Sequence, residues 1–309
     1  MHLKINSRLI AILFALTFTR AEAKTIKLLA IGNSFSANAL RYFKPIVEAS
    51  GNQVVIGHAY IGGCDFQRHV TLADAFEKDP TDPKGRPYAN GKKSLQDLLK
   101  EDTWEYVTIQ QVSHKAPKPE TFQPYADQLI AYIRKYAPQA EIVVHETWAY
   151  RDDHPTGGQK GFVSTDDMYR KVRKSYDSFT QSHGFRLIPS GDAMEAARHD
   201  PDWGKYQPDP EFDPKTAIYP NIPKNEKRSL HHSFHWSKDT KTGKYVLHAD
   251  RFHANPRGEY LLGCVWFEFF YGQSVLGNTF KQKDMTDEEM TIMQRIAHRV
   301  VTEKQRPTL

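Results

Sequence analysis

Short apolar runs at 26–31, 54–60, 106–110, 141–145 and 186–189 recur along the chain, each followed by a polar turn. Runs of that length without strict alternation are the pattern of strands buried on both faces. Between them lie stretches with helical spacing at 37–49, 94–101, 124–136 and 165–183. In 124–136 the residues Ala126, Leu129, Ile130 and Ile133 recur at three- and four-residue steps and mark one apolar face. Strands alternating with helices of this length predict a parallel sheet covered on both sides. With right-handed crossovers the expected fold is α/β, a doubly wound three-layer α/β/α sandwich. Farther on, 257–271 reads as a buried helix and 286–301 as an amphipathic one. Two segments break the rhythm. Residues 79–93 carry prolines and glycines and read as an inserted loop. Residues 196–236 hold six prolines with Trp203, Tyr206, Phe212, Tyr219, Phe234 and Trp236. So long a loop in a compact domain is usually functional, and it is expected to pack over the sheet and wall part of a cleft.

Composition narrows the class. The chain has 309 residues, 39% of them hydrophobic, so a sizeable core is available and global disorder is excluded. Acidic and basic residues interleave without a dominant block, which argues against a nucleic-acid groove. At the start, Lys4 and Arg8 precede the apolar run 9–18, and Ala21-Glu22-Ala23 offers small residues at the offsets a signal peptidase uses. Residues 1–23 are therefore expected to be a signal peptide, leaving 24–309 as a single exported domain, periplasmic or extracellular. No membrane span is expected after cleavage. Loss of Lys4, Arg8, Arg20 and Glu22 with that leader takes the formal charge from +5 to +3. Cys64 and Cys264 are the two cysteines; the sequence gives no distance between them.

Ligands of open α/β sheets bind outside the carboxyl ends of the strands, so the residues after each run carry the candidate chemistry. They are Asn33-Ser34, Gly62-Gly63-Cys64-Asp65, Gln110-Gln111-Val112-Ser113-His114 and Glu146-Thr147-Trp148, with Asp250-Arg251-Phe252-His253 before the last buried helix. A serine where a buried strand breaks into a helix sits among free backbone N–H groups. Its hydroxyl needs a base, which a histidine oriented by a carboxylate supplies. A glycine N–H and a side-chain amide can hold an oxyanion. These are the parts of an acyl-transfer site.

On the Gly-Asn-Ser-Phe-Ser block at 32–36, the Gly62-Gly63 pair and Asp250-x-x-His253, the chain resembles the SGNH (GDSL-like) hydrolase superfamily. It looks in particular like an uncharacterised branch with a Gly-Asn-Ser-Phe-Ser first block, over about residues 25–272. The resemblance implies a flavodoxin-like α/β/α sandwich, with Ser34 as nucleophile, His253 as base, Asp250 as its partner and Gly63 as an oxyanion donor. The chain departs from that pattern twice. Gly-Asn-Ser stands for the usual Gly-Asp-Ser, and Gln110-Gln111-Val112-Ser113 stands where Gly-x-Asn is usual. Either glutamine can supply the missing amide; Gln111 is favoured, because alternate residues at a strand end face opposite ways.

The other constellations are weaker. His145-Glu146 starts like a zinc-protease motif, but Ala149 occupies the second histidine's place. His231, His232 and His235 lack a Cys or carboxylate at ligand spacing, so no metal or other cofactor is expected. Trp148 and Asn33 are expected to line the substrate site, Trp148 as a stacking surface for a sugar ring. The sequence thus points to an exported serine ester hydrolase that removes O-acyl groups, acetate foremost, from a small-molecule or polysaccharide ester. The alternatives are a glycan-binding protein on an altered fold, or glycoside cleavage by Glu146 with Asp250.

Overall fold

The computed structural model describes residues 23–155 and 161–305; the expected signal peptide therefore lies outside the described residues except for Ala23. Five parallel strands make the central sheet: β1 (Thr25–Gly32), β2 (Gln53–Tyr60), β3 (Tyr106–Ile109), β4 (Glu141–His145) and β5 (Arg186–Ile188), in the order β2-β1-β3-β4-β5. The order reverses between β1 and β3, so a crevice opens there at the carboxyl edge of the sheet. The central strands are apolar almost throughout because helices cover both of their faces.

One face carries α1 (Ser34–Leu40), α2 (Phe43–Ala49), α8 (Ser190–Arg198), α9 (Pro256–Tyr271) and α10 (Asp287–Gln305), with α9 packed against the other four. The opposite face carries α3 (Phe66–Lys78), α5 (Leu95–Lys100), α6 (Tyr125–Tyr136) and α7 (Thr165–His183). No helix among the described residues is long and apolar enough to cross a membrane.

The single helix expected over 37–49 is two, parted at Arg41 and Tyr42. Pro45 explains the break: it has no N–H to give the carbonyl of Arg41, and its ring would clash there in a continuous helix. The segment 79–93 contains a 3-10 turn (Pro83–Gly85) and the one-turn α4 (Tyr88–Gly91), and packs tightly. Gly85 lies so close to Phe76 that a Cβ would come within 2.6 Å of its backbone. The long insertion ends in an antiparallel hairpin, β6 (Phe234–Lys238) and β7 (Tyr245–Ala249). Arg151 anchors the insertion from within: its buried guanidinium pairs with Asp153 and Glu226 and lies 4.0 Å from the centre of the Tyr206 ring. Cys64 and Cys264 are both buried and unpaired.

Candidate active site

β1 ends at Gly32, and α1 begins at Ser34. Asn33 between them is extended and caps the helix, its Oδ1 accepting the Phe35 N–H at 3.0 Å. Gly32 has no room for a side chain: a Cβ would meet Ser36 Oγ at 2.6 Å and the Gln110 amide at 3.0 Å. As first residue of its helix, Ser34 has an N–H without an intrahelical acceptor.

Ser34 Oγ lies 2.7 Å from His253 Nε2, and His253 Nδ1 lies 2.9 Å from Asp250 Oδ2. Asp250 Oδ1 accepts the backbone N–H groups of His253 at 3.1 Å and Phe252 at 3.5 Å. Burial alone would raise the Asp250 pKa. The hydrogen bond and charge of His253, with the two backbone donors, outweigh burial and hold it below the ordinary carboxylate value. The three residues come from two distant parts of the chain, and both His253 and Asp250 stay partly open to solvent.

The segment 250–253 is gripped from both sides. On one side Trp148 Nε1 donates to the Phe252 carbonyl at 2.9 Å, and the Arg151 N–H donates to that of Arg251 at 2.8 Å. On the other, the Asp250 N–H donates to Ser233 and the His232 N–H to His253, at 2.8 and 2.9 Å. Asn38 of α1 adds a clamp, exchanging hydrogen bonds with the backbone of Ala254. Sequence reasoning missed Asn38, and only its place one turn after Ser34 could have flagged it.

The Gly62-Gly63 turn is tied to the end of β1 by the Ile61 N–H on the Gly32 carbonyl, and by Asn33 Nδ2 on the Cys64 carbonyl at 2.8 Å. Gly63 is exposed and has φ +61°, a conformation glycine adopts freely. Serine, histidine and aspartate thus meet at the end of β1, and the glycine turn is tied to that same end.

Four expected site residues have other tasks. Gln111 Nε2 donates to the Thr121 carbonyl at 2.9 Å, and its Oε1 accepts from the N–H groups of Val112 and Phe66. The strand ends at Ile109, so the alternation of faces no longer applies at Gln111. Gln110 Nε2 donates to Asn33 Oδ1 at 2.9 Å. Both glutamines are 1% exposed with their amide nitrogens donating to Asn33 and Thr121, and neither is hydrogen-bonded to Ser34. Asn33 is equally buried and spends its amide on Phe35, Cys64 and Gln110, so it holds the turn and offers no substrate contact. Trp148 is fully buried and stacks on Phe35 with ring centres 4.1 Å apart, leaving no face for a sugar. The aromatic beside the triad is the partly exposed Phe252, 4.3 Å from the His253 ring.

Glu146 is also inside, its Oε2 accepting the Asp192 N–H at 2.9 Å beside Arg173, so it does not oppose Asp250 across a cleft. His231 is buried with Nε2 on the Ala149 carbonyl at 3.0 Å, whereas His232 and His235 are exposed and His235 stacks on His248. The three do not converge. Asp166, Glu195 and His199 do lie within reach of one another, but Arg198 already pairs with both carboxylates.

Fold and site together define an α/β protein with a Ser–His–Asp relay at the carboxyl edge of its sheet. The chain belongs to the family described as a domain of unknown function (DUF4886), whose family model matches residues 27–203. A crystal structure of a DUF4886 family protein from Bacteroides uniformis is similar over 92% of this chain and 97% of its own, at 23% identity and a TM-score of 0.69, and shares the fold. A member of the lipolytic G-D-S-L family from Veillonella parvula is similar over 81% of this chain and 100% of its own, at 10% identity and a TM-score of 0.42. An acetyl xylan esterase is similar over 53% and 76%, at 18% identity and a TM-score of 0.34. No curated protein matches.

Proposed function

We propose that this protein is an SGNH-type serine ester hydrolase. The observation that carries the reading is the continuous relay from Ser34 through His253 to Asp250 at the start of a helix. His253 Nε2 takes the Ser34 proton as Oγ attacks the ester carbonyl. The N–H groups of Ser34 and Gly63 hold the oxyanion. Collapse expels the alcohol, which takes its proton from His253. Water, deprotonated by the same ring, then cleaves the acyl-serine, and the free acid leaves with Ser34 restored.

The substrate we infer is an O-acyl, foremost O-acetyl, group on a carbohydrate. Support comes from the aromatic character of the inserted segment, whose exposed Tyr219 stacks on the exposed Tyr245 of β7. Export of the protein is part of the same proposal and rests on the leader-like residues 1–23; mass spectrometry of the exported form should find an N-terminus at or near Lys24. A glycan-binding protein on an altered fold is the second reading, favoured by the engagement of both glutamine amides elsewhere. Turnover of 4-nitrophenyl acetate by wild type and its loss in Ser34→Ala separate the two. Acetate released from acetylated polysaccharides then identifies the sugar; wild type that is inert on both sinks the hydrolase reading.

A further inference from the structure

A line of buried side chains crosses the carboxyl edge of the sheet in the order of its strands. His145, the last residue of β4, has Nδ1 2.8 Å from Gln110 Oε1 after β3. Gln110 Nε2 is 2.9 Å from Asn33 Oδ1 after β1, and Asn33 Nδ2 is 2.8 Å from the Cys64 carbonyl after β2. All three side chains are 1% exposed.

The direction of every link is fixed by its neighbours. Asn33 Oδ1 already accepts the Phe35 N–H, so it must face an N–H from Gln110. Gln110 therefore turns its oxygen toward His145, and His145 must donate from Nδ1. Its Nε2 is buried without a hydrogen-bond partner, and the ring lies edge-on to Trp266 with ring centres 4.9 Å apart. With the proton on Nδ1 and no acceptor in reach, Nε2 is the unprotonated nitrogen. Burial also lowers the His145 pKa to about 3, so the ring stays neutral. Three donors then point the same way along the sheet edge, ending on the loop that carries Gly63. The same line accounts for Asn33 where aspartate is usual in the resembled family. A carboxylate would offer no donor to the Cys64 carbonyl.

We propose that His145 is a positioning residue for the oxyanion hole: through Gln110 and Asn33 it sets the Ser34 turn and the Gly63 loop against each other. The inference rests on the hydrolase reading above. The Asn33 amide links the Phe35 N–H, next to Ser34, to the Cys64 carbonyl, next to Gly63, and Gln110 holds its oxygen in place. His145 touches no substrate and acts only through that line.

The test is kinetic and spectroscopic. His145→Asn keeps a donor near the place of Nδ1, and His145→Leu removes it. With 4-nitrophenyl acetate the leucine variant should lose about 10- to 100-fold in kcat, part of what one oxyanion donor is worth, with KM within about twofold. The asparagine variant should recover most of that loss. A fall smaller than tenfold in His145→Leu, or equal falls in both variants, overturns the proposal. Should the leucine variant not fold, Gln110→Met breaks the same line one step nearer Ser34 and is held to the same thresholds. Nitrogen NMR of 15N-histidine wild type, assigned by the signal lost in His145→Asn, should show the Nδ1–H tautomer unchanged from pH 8 to pH 5. An Nε2–H tautomer overturns the proposal without any kinetics. Absence of Ser34-dependent turnover in wild type would instead refute the hydrolase reading itself.

Discussion

The Asp250→Asn variant tests the relay at its least forgiving joint. Asp250 uses Oδ1 for two backbone N–H groups and Oδ2 for His253 Nδ1. In the variant the amide oxygen keeps the backbone donors, because an NH2 there would face N–H groups. The NH2 is then forced into the Oδ2 position, 2.9 Å from Nδ1. Nδ1 must turn acceptor, the proton moves to Nε2, and Nε2 points an N–H at the Ser34 oxygen 2.7 Å away. The ring then holds the wrong tautomer for a base, and the carboxylate that would stabilise the imidazolium is gone. Loss of both functions in a serine relay is worth about 10⁴ in kcat, or about 5.5 kcal/mol at about 1.4 kcal/mol per tenfold. Ground-state binding uses neither function, so KM should hold. Single-turnover kinetics with 4-nitrophenyl acetate give the acylation rate directly, and circular dichroism checks that the fold survives. A variant within tenfold of wild type would show that His253 is not oriented by Asp250 and that the mechanism is wrong.

Three further predictions can be checked with the same material. Ser34→Ala and His253→Ala should each abolish turnover, and the double variant should lose little more, since residues acting as one unit are non-additive; near-wild-type rates in either single variant refute the assignment. Gln111→Ala should leave the Phe66 and Val112 N–H groups and the Thr121 carbonyl short of a partner, costing stability at about 1–3 kcal/mol per buried group, while kcat per folded molecule stays within a few-fold. Urea titration with active-site counting measures both, and a hundredfold fall in kcat at unchanged stability would return Gln111 to the oxyanion hole. Acid should destabilise the fold below about pH 6.5. Burial lowers His58 and His69 to about 4 and His145 and His231 to about 3, so the unfolded chain takes up protons near pH 6.5 while the folded chain does not. Their stabilising effect is complete above pH 6.5 and is lost as pH falls toward 3, each ring contributing up to about 1.4 kcal/mol per pH unit. Denaturant midpoints that stay flat from pH 7 to pH 5 would contradict it.

The sheet was legible because buried parallel strands announce themselves as apolar runs, and all five begin and end within one residue of where the runs do. The relay was legible for a different reason: Ser34, Asp250 and His253 match the blocks of the family the chain resembles, and the structure brings them within hydrogen-bond distance. What the sequence hid was orientation. Gln111 and Trp148 both follow strands, yet backbone turns swing one onto Thr121 and the other under Phe35. Helix α3 escaped notice because His69, buried against Tyr88, interrupts its apolar stripe of Phe66, Val70, Ala73 and Phe76. Helix α8 buries Ser190, Gly191, Asp192 and Arg198 along with Ala193, Met194 and Ala197, so polar and small residues dilute its apolar period. The hairpin strands have no fully buried residue, and only Phe234 and Trp236 of β6 alternate with exposed neighbours, too short a stretch to mark a half-buried strand.

The way the base is held has a consequence for how the protein can change. Of the four hydrogen bonds that grip residues 250–253, three join main-chain atoms to main-chain atoms. Such contacts depend on the path of the chain and hardly on which side chains it carries. Apart from the anchors on Arg151 and Ala149 (Tyr206, Glu226 and His231), side chains of the hairpin and of the aromatic segment before it can therefore change while His253 keeps its place over Ser34. From residue 204 on, this stretch also lies beyond the residues matched by the family model, which end at 203. On the hydrolase reading, the sheet would fix the reaction while side chains of the segment draped across it change the substrate.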